Sequence, residues 1–576
     1  EIHERLVGSE MCIRDSNKWL IVMNMILVIL VKPILFRENI ACFHFFLYLA
    51  IVKDVYLKKS ANTMLKSESL IHLINNLTKQ EKKEFSLYIS NKPEKDYIFL
   101  FRLIDDKKVS DPEELKMSFL AAKPTSSFNT VVIYLFDLLI DILTRLRTEQ
   151  DSYYLLFNEL LHARVLYEKS MYQECFQVLK KVKEKAVYYE NHFALLVAQR
   201  LELNYLLTLD FEDMDEQKLL NKQYKMNNTL KSIRQLNEQS SLYELLKYRM
   251  INRGASRSLE ETQKLDDLVT SEISIVASAG VENFEIKKNH QLFQANYFIT
   301  VGDYKAAFNS FVELNKLFEE NSHLWNNPPV YYLMTVEGML ESLRIMHNYE
   351  GMNYFIEKLT KLSSPSSSFQ LNVTYVIFIY RLFSFIDAGD FDKAGIWIAE
   401  HQASLIDKML LLKEQQQAEM SLYIALIHLG NGEYRKARKR LSATIGRGHL
   451  YSLPLFRTIR IVNVMIHYEL GDIDYIQSEI RSIKREMSKN KGYNLKVESF
   501  LLKFLNYSFA DTNRKKRAEI WESMAEEVHA LYADKYETQI LRKFDFVAWV
   551  EAKIFEVPLS DILKREHASK SKWQHR

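Results

Sequence analysis

Five cations fall within six residues at Arg435, Lys436, Arg438, Lys439 and Arg440. At about 100° per residue they span a broad arc of a helix, and Ala437 and Leu441 fall on the opposite side. That is the pattern of a helix with one buried stripe and a basic outer face. From Gly432 to Arg517 there are 19 Lys and Arg against 8 Asp and Glu, a surplus of +11 in a chain whose total is +3. The quartet Arg514, Lys515, Lys516 and Arg517 closes this segment. Such a surface has the chemistry to hold an anionic partner, whether an acidic peptide, a nucleic acid or a phosphate-bearing surface. A solvated helix face that happens to be basic has the same pattern.

Other reactive residue types are scattered. The 15 histidines include no HExxH pair and no two spaced four apart, so the sequence predicts neither a metal site nor a cofactor. Cys12, Cys42 and Cys175 form no CxxC pair and no disulfide framework, which points to a reducing, cytoplasmic compartment. Cys175 reads as a small packing residue. His428 and His467 read as residues of a helix's last turn. Asp545 and Glu551 are the one carboxylate pair with any appeal for acid–base work, but a helix cap and a solvated face describe them better, and Trp549 between them reads as core. No enzymatic activity is expected.

The elements that must position these residues are helices. The chain has only 14 Gly and 9 Pro in 576 residues, and no Gly in the 245 residues from Ser9 to Arg253. Phosphate-cradling loops and nucleophile elbows need Gly where the backbone turns left-handed or meets a ligand closely, so none lies in that stretch. Hairpin-rich sandwiches and barrels need more turns than these residues supply. An apolar fraction of 47% and a charged fraction of 26% are those of a globular chain.

Residues 1–63 stand apart. The stretch from Val7 to Ser16 resembles a translated sequencing adapter. Apolar runs at Trp19–Val31 and Ile40–Val52 are each shorter than a membrane span. The reading is a non-native or hydrophobic leader, with the start at Met64; a membrane anchor over residues 19–52 is the alternative. Residues 64–148 read as an N-terminal helical cap. Within it, Thr78 and Glu81 have capping-box spacing, Asn91-Lys92-Pro93 ends a helix, Asp111-Pro112 starts one, and a longer helix follows Ser127.

From residue 149 to about 510 a phrase recurs. Gly302, Tyr304 and Ala307 match Gly389, Phe391 and Ala394, then Gly432, Tyr434 and Ala437; Gly471 opens a fourth copy without the Ala. The glycine spacings are 87, 43 and 39, so one unit is hidden in the first interval, where Tyr349 falls in register. Ser170 to Cys175 reads as an earlier copy, with Tyr172 three periods of 44 before Tyr304. In each copy Gly stops one helix, the acid caps the next, the aromatic wedges between them and the small residue lets them cross. Unit boundaries are expected at Gly254–Ser258, Asn326–Pro329, Ser363–Ser368 and Gly446–Pro454, with residues 511–576 forming capping helices and a tail.

These phrases resemble the tetratricopeptide repeat (TPR), although the period of 39 to 45 exceeds the usual one. Three further stretches, Leu77–Phe85, Ile466–Asp472 leading to Glu498–Leu502, and Phe544–Lys553, resemble a family of uncharacterised bacterial TPR-like proteins over Met64 to about Glu566. The resemblance implies an all-α, right-handed α-solenoid acting as a scaffold for a protein or peptide, an acidic one if the basic face is the dock. A nucleic-acid-associated regulator and a membrane-anchored solenoid are the alternatives.

Overall fold

The computed structural model describes residues 66–573, apart from short stretches at 91–92, 94, 107–108, 110, 149–150, 254–255, 257–258, 279–282, 326–327, 365, 447–454, 490–495, 506–513 and 535. The leader, the adapter-like stretch and the apolar runs lie outside the described residues. Those described are all-α, with no strand among them. They divide into two compact units, one of residues up to 77 with 82–141, the other of residues 78–81 with 142 onward.

In the first unit the helices at 66–75, Asp96–Asp105 and Pro112–Ala122 surround a core of Leu70, Ile74, Phe85, Leu100 and Phe119. The start signals work as the sequence predicts: the Asp111 side chain accepts from the Glu114 N–H, and Pro112 occupies the first turn. At the edge of the second unit, Thr78 and Glu81 form the expected capping box, with bonds of 2.8 and 3.2 Å.

The second unit is an α-solenoid of helix pairs. The first helices of successive pairs are Ser152–Glu168, His192–Thr208, the later part of Glu216–Arg253, Phe284–Val301, Val330–Ile345, Ser367–Asp387, Glu414–Gly430 and Phe456–Glu469. The second helices begin at 172, 216, 259, 304, 349, 391, 434 and 473, close to the predicted period throughout. One boundary differs from expectation. The second helix of one pair runs without a break into the first helix of the next, making the 38-residue helix Glu216–Arg253. No Gly or Pro interrupts that stretch, so nothing stops the helix. Accordingly the segment at Gly254–Ser258 lies inside a pair, not between two.

Each helix packs on the next, and each first helix packs on a neighbouring first helix. Ser367–Asp387 is long and apolar enough by composition to cross a membrane, yet Phe369, Val376, Phe378 and Phe383 are buried among the repeats.

Candidate functional site

The repeat phrase builds the turn between paired helices. Gly302, Gly389, Gly432 and Gly471 have φ of 83°, 69°, 72° and 71°, the left-handed region where a Cβ is costly. In the hidden copy His347 holds that position at φ 56°, and in the earliest copy Ser170 does at 59°. Asp303 caps the next helix by accepting from Ala306, and Asn348 does so from Gly351. Asp390 and Glu433 make no such cap; Asp390 pairs instead with Lys393, and Glu433 with His428 and Lys436. The crossing positions Cys175, Ala307, Ala394 and Ala437 are fully buried.

The basic run lies on the helix Tyr434–Ile445, with Ala437, Leu441 and Thr444 inward. Arg435, Lys436, Arg438 and Lys439 are exposed. Lys436 is held by Glu433 at 2.6 Å. Arg440 departs from the expected outer face: its Nη2 reaches the Met409 sulfur at 3.0 Å and its Nε is buried. Lys515 and Lys516 are exposed, whereas Arg517 pairs with Glu556; the Arg514 side chain is outside the description. Arg457 and Arg460, in the same basic segment, turn inward to Glu479, Glu486 and Glu498. These two arginines are thus held by acids of the same segment rather than offered to a partner.

Asp545 caps its own helix at Ala548 and accepts from Tyr532, while Glu551 pairs with Arg565. Each carboxylate thus has a partner of its own. His467 bonds Asp472 at 2.9 Å, as His428 bonds Glu433 at 2.6 Å, each tying a helix's last turn to the start of the next. Trp549 is core, 1% exposed. Among the described residues no group of three or more His, Cys, Asp or Glu could hold a metal ion.

Two features of the first helices were not singled out in the sequence. On Ser152–Glu168, Tyr154, Leu161 and Val165 are 39%, 62% and 54% exposed; on His192–Thr208, Phe193, Val197 and Leu207 are 57%, 41% and 59% exposed. Each set lies on one helical stripe; the first is opposite the buried Leu156, Leu160 and Ala163, and the second has the buried Ala194 and Ala198 to one side. These are faces that no neighbouring helix covers.

Farther along, the first helices carry a polar ladder. Lys247 donates to Asn296 at 2.8 Å, Tyr380 to Glu341 at 3.2 Å, Tyr375 to Glu419 at 2.6 Å, and Gln416 to Asn372 at 3.1 Å. Each bond joins one first helix to the next. Glu337 shares this surface. Burial pushes its carboxyl up to about 7, with Glu419 and Glu341 adding and Lys247 opposing. Glu419 is raised as well, and Lys247 is lowered, both chiefly by burial. Nearby, Arg344 makes a bidentate pair with Asp387 at 3.0 Å and stacks on Phe383 at 3.7 Å. The signal available in the sequence was a pair of acids, Glu337 and Glu341, four apart in a mostly apolar helix.

No protein-family model matches the chain, and no curated protein matches it. Among solved structures, it is similar to the Rap conjugation gene regulator of the plasmid pLS20, solved in complex with the Phr* peptide. The identity is 9% and the TM-score 0.36, over 59% of this chain and 95% of that one.

Proposed function

We propose that the chain is a non-enzymatic, cytoplasmic scaffold that binds a peptide, or a segment of a partner protein, along the uncovered faces of its first helices. The observation that carries this reading is a pair of exposed apolar stripes on two adjacent helices, Tyr154, Leu161 and Val165 on one and Phe193, Val197 and Leu207 on the other. Single exposed aliphatics are ordinary, but an exposed apolar stripe on each of two adjacent helices leaves solvation free energy for a partner to recover. Its spacing suits an amphipathic segment. The polar ladder farther along supplies carboxylates and phenols that fix register and direction in a mostly apolar groove.

The test is site-specific photo-crosslinking from position Val197 in cells, followed by mapping of the crosslinked peptide. One defined segment is expected, and the double variant Leu161→Lys/Leu207→Lys should lower its capture at least about tenfold. Undiminished capture by a folded double variant would remove the reading.

The exposed Arg435, Arg438 and Lys439 favour a second reading, in which an acidic partner or a nucleic acid docks on the outer helix. Binding would then weaken steeply with salt. Unchanged affinity in the Arg435→Glu/Arg438→Glu variant would eliminate it.

A further inference from the structure

The last helices of the chain do more than close the end of the array. Ala525–Ala533, Thr538–Leu541, Phe546–Phe555 and Leu559–Trp573 fold back along the turns that join paired helices. At the far end of the array, Glu537 accepts from the backbone N–H groups of Lys496 and Val497 at 2.8 and 2.9 Å, capping Lys496–Phe504. Lys496 Nζ adds an ion pair to Asp534 at 3.0 Å. Glu469 accepts from Trp549 at 2.9 Å and from Lys553 at 2.7 Å. A Cβ on Gly389 would stand 2.6 Å from the Ser560 carbonyl oxygen, so this turn admits the last helix only as glycine. The His567 ring lies 5.0 Å from Tyr349. Phe544, Phe546 and Trp549 are buried in the same core as the repeats.

The hold is weaker at the other end. The Arg542 guanidinium sits 4.3 Å over the Tyr304 ring, 238 positions earlier in the sequence. Its Nη1 is buried and has no hydrogen-bond partner among the described residues. A buried guanidinium donor without an acceptor is costly, and a cation–π contact alone recovers only part of that. Unfilled space adjoins Arg542 on both sides. A cleft of about 660 Å³, open to solvent, lies towards Tyr297, Gly302 and Met346, and a more enclosed one of about 250 Å³ lies towards Asp387, Tyr532 and His567. The side chain therefore has room to leave, and the ring and hydroxyl of Tyr304 are what hold it.

We propose that residues 531–567 form a strap across the array, fixed at Glu537 and Glu469, whose latch is Arg542 on Tyr304 and which opens at that latch. Opening joins the two clefts and frees the turn at Gly302–Tyr304, while the fixed end stays in place.

Hydrogen exchange on the full-length protein tests this, comparing wild type with Arg542→Leu, Tyr304→Phe and Glu537→Gln. Arg542→Leu is expected to raise amide exchange at residues 302–306 and 538–545 by about threefold or more and to leave 497–500 unchanged. Tyr304→Phe keeps the ring but loses the hydroxyl beside the guanidinium, and should fall between wild type and Arg542→Leu. Glu537→Gln should loosen 496–500 and spare 302–306. If Arg542→Leu does not fold, Arg542→Met removes the cation and keeps the apolar stem, and is read in the same way. Unchanged exchange at 302–306 overturns the latch. Equal loosening at 302–306 and 497–500 overturns it too, because the strap then moves as one body.

Discussion

At the scale of single residues, the most consequential group is the Glu337 carboxyl, surrounded by protein and by two other carboxylates. Its ordinary value is 4.5, and in the fold it rises to about 7. A carboxyl whose folded value is raised binds its proton more tightly in the native state. Its contribution is therefore fully present below about pH 4.5 and is lost as pH rises through 7. At about 1.4 kcal/mol per pH unit over the interval from 4.5 to about 7, the loss is on the order of 3 to 4 kcal/mol. Glu337→Gln removes the charge and keeps the shape. We expect it to match wild type in urea denaturation at pH 4.5 and to exceed it by that order at pH 8. Equal stability at both pH values would show that the carboxylate is not penalised. This residue was hard to read from sequence, because its cost arises from Glu419 and Lys247, which are distant along the chain. The basic run was easy to read but incompletely: spacing placed Arg440 on the outer arc, whereas Met409, from the short turn before Glu414–Gly430, draws it in.

At the scale of elements, the turn phrase was legible because its physics is local. A left-handed residue, a polar cap and a small crossing residue all lie within six positions, and each leaves a type-specific mark. The substitution of His347 for Gly was legible only through the register of Tyr349. The same locality makes the turns testable. Gly432 is open to solvent with nothing near its missing Cβ, so Gly432→Ala pays only the left-handed backbone cost, about 1 kcal/mol. Gly389→Ala pays that cost and also drives a methyl into the Ser560 carbonyl, so it should lose distinctly more, about 2 to 4 kcal/mol. His347→Gly should gain a few tenths to 1 kcal/mol by relieving its φ of 56°. Chemical denaturation at one pH orders the three variants. The reverse order for the two glycines would mean that the last helix does not press on Gly389. The fused helix Glu216–Arg253 shows what local reading misses: an absent stop signal leaves no mark except the glycine gap itself.

At the scale of the whole second unit, the fold-back of the last helices was not legible, since no short pattern announces contacts between residue 542 and residue 304 or between 549 and 469. The sequence pointed to capping helices at the end of the array. The structure has helices that cap the end and also reach several pairs back. In an open array each pair contacts only its neighbours, so stability is a sum of local terms, and removing the last pair frays the end alone. Here Phe544, Phe546, Val547 and Trp549 belong to one continuous core with Leu343, Ile386, Leu426 and Ile466. Ending the chain at residue 530 therefore strips cover from pairs far from the cut. We expect limited proteolysis of the shortened protein to cleave between residues 300 and 470 as readily as near its new end, and urea unfolding to lose its single steep transition. Cleavage confined to residues beyond 470, with the pairs at 304–445 as protected as in the full chain, would mean that the array stands without its last helices. The strap would then be a passenger on an ordinary open solenoid, and the groove would owe its shape to the repeats alone.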